Sequence, residues 1–365
     1  MESHHCNHSM QGVQLREPGN VQLATLQRPR AQPGEVLLRV LAAGLCQTDV
    51  HIRSAADSRT PDGTTLGHEI AGEVVELGAG VTQWRKGDRV VVHPCWSCGV
   101  CAACLAGRQN ACRRTGSRLS PPPTPGVTRN GGMAEYVCAP ASALMSIGEL
   151  DAEVAATLTD AALTPYHAIR TCAEQLYPGS TTVIIGLGGL GNLAAQILRA
   201  TSATKIVAID ISNDALDAAR PWLDVAMLST DPDLVERVMA LTEGCGADVV
   251  LDFVGNDATL KLDAALVCRS GAIRVVGLSG GTYPFVARSS NNPLPRGVSM
   301  MCPYGGTYGD LAAVIALAQR GAIRPLVTRF ALDDALSAFD ALQAGKIRGR
   351  AVLIPGGVSA QQAGL

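Results

Sequence analysis

From Thr181 onward the chain alternates strand-like and helical runs, and few folds accept that pattern. Strand-like runs at Thr182–Leu187, Lys205–Ile209, Ala247–Phe253 and Gly271–Gly277 are separated by helical patterns such as Leu190–Ala200 and Asp231–Thr242. Such alternation specifies βαβ units around a parallel sheet, an α/β doubly wound (Rossmann) domain. At its first strand-to-helix turn stand Gly186, Gly188, Gly189 and Gly191, with Leu190 between the last two. Glycines there let the chain turn tightly and let backbone N–H groups approach a pyrophosphate at the positive end of the helix. About twenty residues on, Asp210 ends the next strand, where a carboxylate accepts hydrogen bonds from both ribose hydroxyls and repels a 2′-phosphate. No lysine or arginine follows closely in Ile211-Ser212-Asn213-Asp214, so NAD is expected rather than NADP. A doubly wound domain that has lost its nucleotide is the competing reading.

The chain before this point is different. From about Gln11 to Leu158, short strand-like runs (Glu35–Leu41, Glu73–Leu77, Asp88–His93, Ala134–Ala139) alternate with Gly- and Pro-marked turns. The proline-rich segment 120–126 can be neither helix nor ladder, so a surface loop is expected. After about Cys302 come a helix at Gly309–Arg320, another near Asp333–Ala344, and a last strand at Arg350–Ile354. No internal repeat is present.

Cys98, Cys101 and Cys104 are spaced by two residues each, and Cys112 follows a short loop. Four such thiolates can close a tetrahedron around zinc and leave no open position, which is a structural site. An iron–sulfur cluster is the competitor, and Cys95 lies outside the spacing. A second cluster is scattered along the chain. Cys46-Gln47-Thr48-Asp49-Val50-His51 follows an apolar run that reads as a buried strand breaking at Gly44. Cys46 alone could be a packed, inert thiol. Gly67-His68-Glu69 adds an imidazole and a carboxylate, and Asp160 stands in an apolar run where an unpaired charge would be costly. Cys46, His68 and Asp160 are the expected ligands of a catalytic zinc that keeps one position open. For Asp160 an N-cap or a salt bridge is the alternative.

Composition excludes several classes. At 365 residues the chain can bury two domain cores. Thirty basic against 32 acidic residues leave no electrostatic footprint for nucleic acid. No apolar stretch approaches the ~20 residues of a membrane helix. The polar amino terminus, with His4, His5 and His8, lacks the apolar centre of a secretory signal, so a cytoplasmic protein is expected. Twelve cysteines in a chain of this size, four of them clustered, point to metal rather than to a disulfide framework.

With these motifs in place, the chain resembles the medium-chain, zinc-dependent alcohol dehydrogenases over nearly its whole length after about Gln11, most closely the bacterial NAD-dependent secondary-alcohol members. The matching pieces run in the family's order: Cys46–His51, Gly67-His68-Glu69, Gly87-Asp88-Arg89-Val90, the four cysteines, Gly131-Gly132-Met133-Ala134-Glu135-Tyr136, the Asp160 segment and Gly186–Gly191. The resemblance implies a partly open, GroES-like β-barrel catalytic domain at residues 1–160, carrying the zinc lobe at about 94–113. That domain would be interrupted by the NAD-binding domain at 161–302 and resumed at 303–365, with the active site in the cleft between them. It further implies that Thr48 stands beside the substrate oxygen and His51 is the outer member of a proton relay reached through the nicotinamide ribose. By the same resemblance Asp49 orients the zinc-bound histidine, Glu69 approaches the metal transiently, and Arg350, rather than Arg348, contacts the pyrophosphate. Many members carry cysteine as third ligand; Asp160 stands there in this chain, as aspartate does in similar bacterial enzymes.

The expected activity is reversible oxidation of a secondary or aryl alcohol to a ketone or aldehyde with NAD and two zinc ions. Polyol oxidation, a reductase with a repurposed zinc site, and a non-catalytic NAD-binding redox sensor are the rivals. Trp96, Tyr304, Leu119 and Tyr166 are candidate pocket residues. The expected partner besides substrate is a second copy, in a homodimer or homotetramer, with Val298–Pro303 a candidate contact.

Overall fold

The structure, a computed structural model, describes residues 9–17, 19–54, 60–284, 286 and 292–357; His4, His5 and His8 lie outside them. The chain divides into two compact units. One holds the residues up to Asp160, then Gly306–Gln319 and the chain from Pro325 onward; the other holds Ala161–Gly305 and Arg320–Arg324.

The first unit opens with an antiparallel pair, β1 (Ser9–Glu17) and β2 (Asn20–Gln27). Its main sheet begins with β3 (Glu35–Leu45), β4 (Glu69–Leu77), β5 (Arg89–Val92), β6 (Tyr136–Pro140) and β7 (Leu144–Ser146). The second unit supplies β8 (Thr181–Ile185), β9 (Lys205–Asp210), β10 (Val225–Leu228), β11 (Ala247–Asp252), β12 (Val267–Val275) and β13 (Ser299–Met301). These form an all-parallel sheet in the order β10-β9-β8-β11-β12-β13, reversing direction of growth between β8 and β11. Ligands of doubly wound sheets bind beside such a reversal. The chain then returns to the first unit with β14 (Val327–Ala331) and β15 (Arg350–Ile354), giving the order β14-β15-β3-β4-β5-β7 with β6 paired to β3.

Burial explains which strands the sequence announces. The central strand β8 is buried at every position, and β9 and β11 nearly so, which requires the continuous apolar runs seen there. In the first unit Val13, Leu38, Ile70, Met133, Phe339 and Leu353 belong to one buried cluster. Each such side chain contributes about 1.5–3 kcal/mol relative to exposure. The short, half-exposed strands β10, β13 and β14 carry no such run and have no local signal.

Several expected boundaries differ. β3 continues past Leu41 to Leu45, carrying the buried strand to the edge of Cys46. The helix expected over Asp231–Thr242 covers only Leu234–Leu241, because the Asp231 carboxylate accepts from the Asp233 N–H and pairs with Arg237 instead. The second unit extends to Gly305, where the sequence places a boundary at 302. It also keeps Arg320–Arg324, since the Gln196 side chain accepts from the Arg324 N–H at 2.7 Å and donates to its carbonyl. The segment 120–126 is irregular, but Pro122 and residues 124–126 are buried rather than on the surface. Its backbone is satisfied locally: Gly126 N–H donates to the Arg129 carbonyl and Thr128 N–H to that of Thr124.

At the glycine loop, Gly186 takes φ +86° and a Cβ on Gly191 would overlap the Gly186 carbonyl, whereas one on Gly188 would meet nothing. Gly191→Ala should therefore destabilise the protein by about 1–3 kcal/mol, and Gly188→Ala by much less. Urea denaturation of both variants checks this; equal losses would contradict it.

Candidate active site

Three neighbouring strands deliver side chains to one place. In the antiparallel register Gly44 of β3 faces Glu69 of β4, and Leu45 faces Ala351 of β15. Cys46, His68-Glu69 and Arg350 therefore emerge at the same end of the sheet. Cys46 caps the strand end, and the helix Gln47–Ser54 begins immediately after it. Asp49, in the first turn of that helix, accepts the Cys46 N–H at 2.9 Å and fixes the turn. A Cβ on Gly44 would overlap the Glu69 carboxylate, so the smallest residue is needed opposite it.

Asp160 arrives from the helix Ala152–Thr157, which packs against β3, β4 and β15. It lies in one turn of π-helix, Leu158–Ala162, whose extra residue re-aims the side chains within a helical run. The Asp160 Oδ2 atom is 3.3 Å from Cys46 Sγ and 3.9 Å from His68 Nε2. Ligand atoms of Cys46, His68, Glu69 and Asp160 all lie within 4.8 Å of one another. His68 turns Nδ1 toward Asp49 Oδ1 at 3.7 Å, leaving Nε2 toward Cys46 and Asp160. A soft sulfur, an imidazole and a carboxylate held this closely fit a zinc ion in chemistry and spacing.

The electrostatics are those of a site built for a cation. Burial would lower the His68 imidazole, yet Asp49 and Asp160 draw it well above its ordinary value. Burial pushes the Glu69 carboxyl up to about 7, against the pull of Arg350. Arg350, 7% exposed, donates from Nε to Glu69 Oε2 at 3.1 Å, from an Nη to Glu69 Oε1, and to Asp160 Oδ2 at 2.6 Å. Burial opposes its charge too, but Cys46, Glu69 and Asp160 hold it firmly protonated. The resemblance places Arg350 at the cofactor pyrophosphate; its position beside Cys46, Glu69 and Asp160 has no local signal, because Glu69 is 281 residues away.

Thr48 Oγ1 lies 3.6 Å from Cys46 Sγ, and His51 is exposed on the same helix. Trp96 packs against the first unit's core with a buried, unpaired indole Nε1. Leu119 is exposed, Tyr166 half-buried, and Tyr304 is an exposed residue of the second unit.

The four-cysteine group is complete. Sulfurs of Cys101 and Cys104 are 3.5 Å apart, those of Cys101 and Cys112 3.9 Å, and those of Cys98 and Cys104 4.0 Å. Metal–sulfur bonds of ~2.3 Å in a tetrahedron place sulfurs roughly 3.8 Å apart, so one zinc fits. Burial works against ionising Cys112, but the Thr115 hydroxyl and the backbone N–H groups of Cys98, Thr115 and Arg114 bring it down to about 5. Cys95 is outside the group; its N–H donates to His93 Nδ1 at 3.1 Å.

In the second unit, Gly188 precedes the helix Gly189–Thr201, whose first turn holds no acidic residue. The Asp210 carboxylate accepts from Leu187 N–H at 2.6 Å and Ser212 N–H at 2.8 Å, tying the glycine loop to the end of β9.

A sheet carrying two clusters of metal-type side chains and a parallel, dinucleotide-type sheet together define a class, and comparison with known proteins identifies it. Residues 32–149 match the alcohol dehydrogenase GroES-like domain and residues 189–320 the zinc-binding dehydrogenase domain. An NAD-dependent alcohol dehydrogenase from Sulfurisphaera tokodaii is 33% identical over 361 residues, covering 95% of this chain and 100% of that one. The alcohol dehydrogenase of Aeropyrum pernix is 31% identical with a TM-score of 0.86, covering 94% and 100% of the two chains. Acetophenone reductase from Geotrichum candidum, solved with NAD, is 30% identical with a TM-score of 0.83, covering 95% and 97%. The chain belongs to the medium-chain, zinc-dependent alcohol dehydrogenases.

Removing the buried guanidinium leaves two carboxylates facing each other in the interior. Arg350→Gln should cost about 3–5 kcal/mol in chemical denaturation. A loss below about 1 kcal/mol would contradict the assignment of Arg350 as their counter-charge.

Proposed function

We propose that this chain catalyses the reversible oxidation of an alcohol, secondary or aryl, to a ketone or aldehyde with NAD. In this reading Cys46, His68 and Asp160 hold the catalytic zinc, and Cys98, Cys101, Cys104 and Cys112 hold the structural one. The observation that carries it is the convergence of sulfur, imidazole and carboxylate in a buried site beside the Thr48 hydroxyl. When bound, zinc acidifies a hydroxyl and NAD takes up hydride.

The protein's own residues supply position and a route for the proton. Thr48 Oγ1 accepts the proton of the substrate hydroxyl as it gives up its own, which leaves toward His51 and solvent. His51 stands three residues further along the same helix, hence on the same face, and is exposed to solvent. Asp49 Oδ1 faces His68 Nδ1 at 3.7 Å, a charge contact that favours a proton on Nδ1 and so presents Nε2. Glu69 stays outside the permanent ligand set, because Arg350 binds both of its oxygens. The segment Gly186–Gly191, Leu190 included, and Asp210 hold the dinucleotide, with Arg350 a further candidate for its pyrophosphate. The aromatic face of Trp96 suits an apolar substrate.

The chain assembles as a homodimer, or a tetramer of such dimers, through β13. This strand is the outer edge of its sheet, with Met300 and Met301 36% and 43% exposed, and an open apolar edge favours pairing with a second copy. The described cysteines form no disulfide, which suits a reducing compartment such as the cytoplasm.

Following NADH absorbance with a panel of secondary, aryl and polyhydric alcohols tests the reading. Wild type should turn over the first two classes best, and Cys46→Ser should lose activity. Asp49→Asn should lose about 10–100-fold in activity or metal affinity. His51→Gln should lose less and shift the pH profile. Wild-type rates in Cys46→Ser would contradict the proposal, and an unshifted profile would remove His51 from the proton route.

A further inference from the structure

Two carboxylates are buried together at the end of β11. Asp252 and Asp263 are both 0% exposed. Asp252 Oδ1 accepts from the Val254 N–H at 2.7 Å and the Gly255 N–H at 3.0 Å. Among the described residues its Oδ2 has no donor, and neither oxygen of Asp263 on the helix Asp257–Leu266 has one. Asp263 is close enough to Asp252 for a carboxyl–carboxylate hydrogen bond. Two negative charges in that space, with no described cationic side chain bonded to either, would be prohibitive. A single shared proton resolves the conflict. Asp252 Oδ1 is already bound by two N–H groups, so a neutral Asp263 donates its O–H to Asp252 Oδ2.

What the pair holds is the wall behind the glycine loop. A Cβ on Gly186 would lie 2.8 Å from Val254 Cγ2, and one on Gly191 3.4 Å from the Phe253 ring. Phe253 N–H also donates to the Ile185 carbonyl at 2.9 Å. Resting on the reading of Gly186–Gly191 as the NAD site, we propose that Asp263 is a positioning residue. As the neutral partner of Asp252 it fixes the Val254–Gly255 turn against the glycine loop and so sets the affinity for the dinucleotide.

The neighbouring charges leave that proton as the one that matters. Burial, and then the Asp252 charge and hydrogen bond, push Asp263 up to about 9. The buried, unpaired Tyr283 hydroxyl is raised by burial and by Asp263, so it titrates later. On the same helix Asp257 is bonded by Thr282, and Lys261 lies near Asp257. Of the packed neighbours, the helix Leu234–Leu241 carries exposed Glu236 and an Arg237 paired with Asp231. β12 carries an exposed Arg269, a half-buried Cys268 beside Asp248, and Arg274, bonded to Thr171 and Ser299. The shared proton is present at neutral pH and leaves as pH rises through the Asp263 transition. Two carboxylates then repel and the turn loosens.

The test titrates zinc-loaded enzyme with NADH, which is stable in alkali, by fluorescence between pH 7 and pH 10. Wild-type Kd should rise about tenfold one unit above the transition, since only the protonated fraction is competent. Asp263→Asn keeps a donor that cannot titrate, so its Kd should stay flat. Asp252→Asn, whose amide donates to Asp263 while its oxygen keeps the two N–H bonds, should be flat as well and carries the test if Asp263→Asn does not fold. A flat wild type, or variants that follow the wild-type rise, would overturn the proposal. Absence of NADH binding even at pH 7 would instead overturn the cofactor reading, and this inference with it.

Discussion

The first unit is organised around a concentration of charge that an apolar interior cannot hold unaided. Cys46, Glu69, Asp160 and Arg350 meet where β3, β4 and β15 end, with Asp49 and Glu69 wholly buried. Arg350 offsets one negative group through ion pairs to both carboxylates, and a divalent cation held among sulfur, imidazole and Asp160, as proposed, would offset the rest. The sheet bears the marks of this requirement. Gly44 makes room for the Glu69 carboxylate, and Asp49 spends its own charge on the Cys46 N–H and the His68 ring. Metal affinity and folding energy are thus one quantity in this unit.

The two metal centres separate support from chemistry by donor set. Four sulfurs saturate one ion and leave nothing to react, which suits a brace. The mixed site, on the proposed assignment, offers three permanent donors, with both oxygens of Glu69 engaged by Arg350. As a ligand, Asp160 would be harder than a thiolate and donate less charge, which would leave a bound ion the stronger Lewis acid. The second unit meets a similar problem differently. There Asp252 and Asp263 have no cationic partner among the described residues, and the proposed shared proton does what Arg350 does in the first.

Much of this was legible in the chain because the chemistry is local. The Cys98–Cys112 spacing, the Gly186–Gly191 turn and Asp210 each sit within one short stretch, and β8, β9 and β11 announce themselves by uninterrupted apolar burial. Asp160 was legible for a different reason: a carboxylate in an apolar run needs a partner. What stayed hidden is what depends on register and distance. Nothing near Arg350 signals Glu69, and nothing near Gly44 signals the side chain lying across it from β4. The π-turn at Asp160 is set by packing on β3 and β4 rather than by propensity, and Asp263 looks like any helical aspartate until Asp252 is seen beside it. The edges β10, β13 and β14 are too short and too exposed for a periodic signal.

Zinc content with X-ray absorption at the zinc edge addresses the central claim most directly. Two ions per wild-type chain are predicted, one in an all-sulfur shell and one in a shell of sulfur, nitrogen and oxygen. Cys46→Ala should retain only the all-sulfur ion, and Cys104→Ala should lose that ion while keeping the mixed shell. A single ion per chain, or a second shell unchanged by Cys46→Ala, would contradict the account.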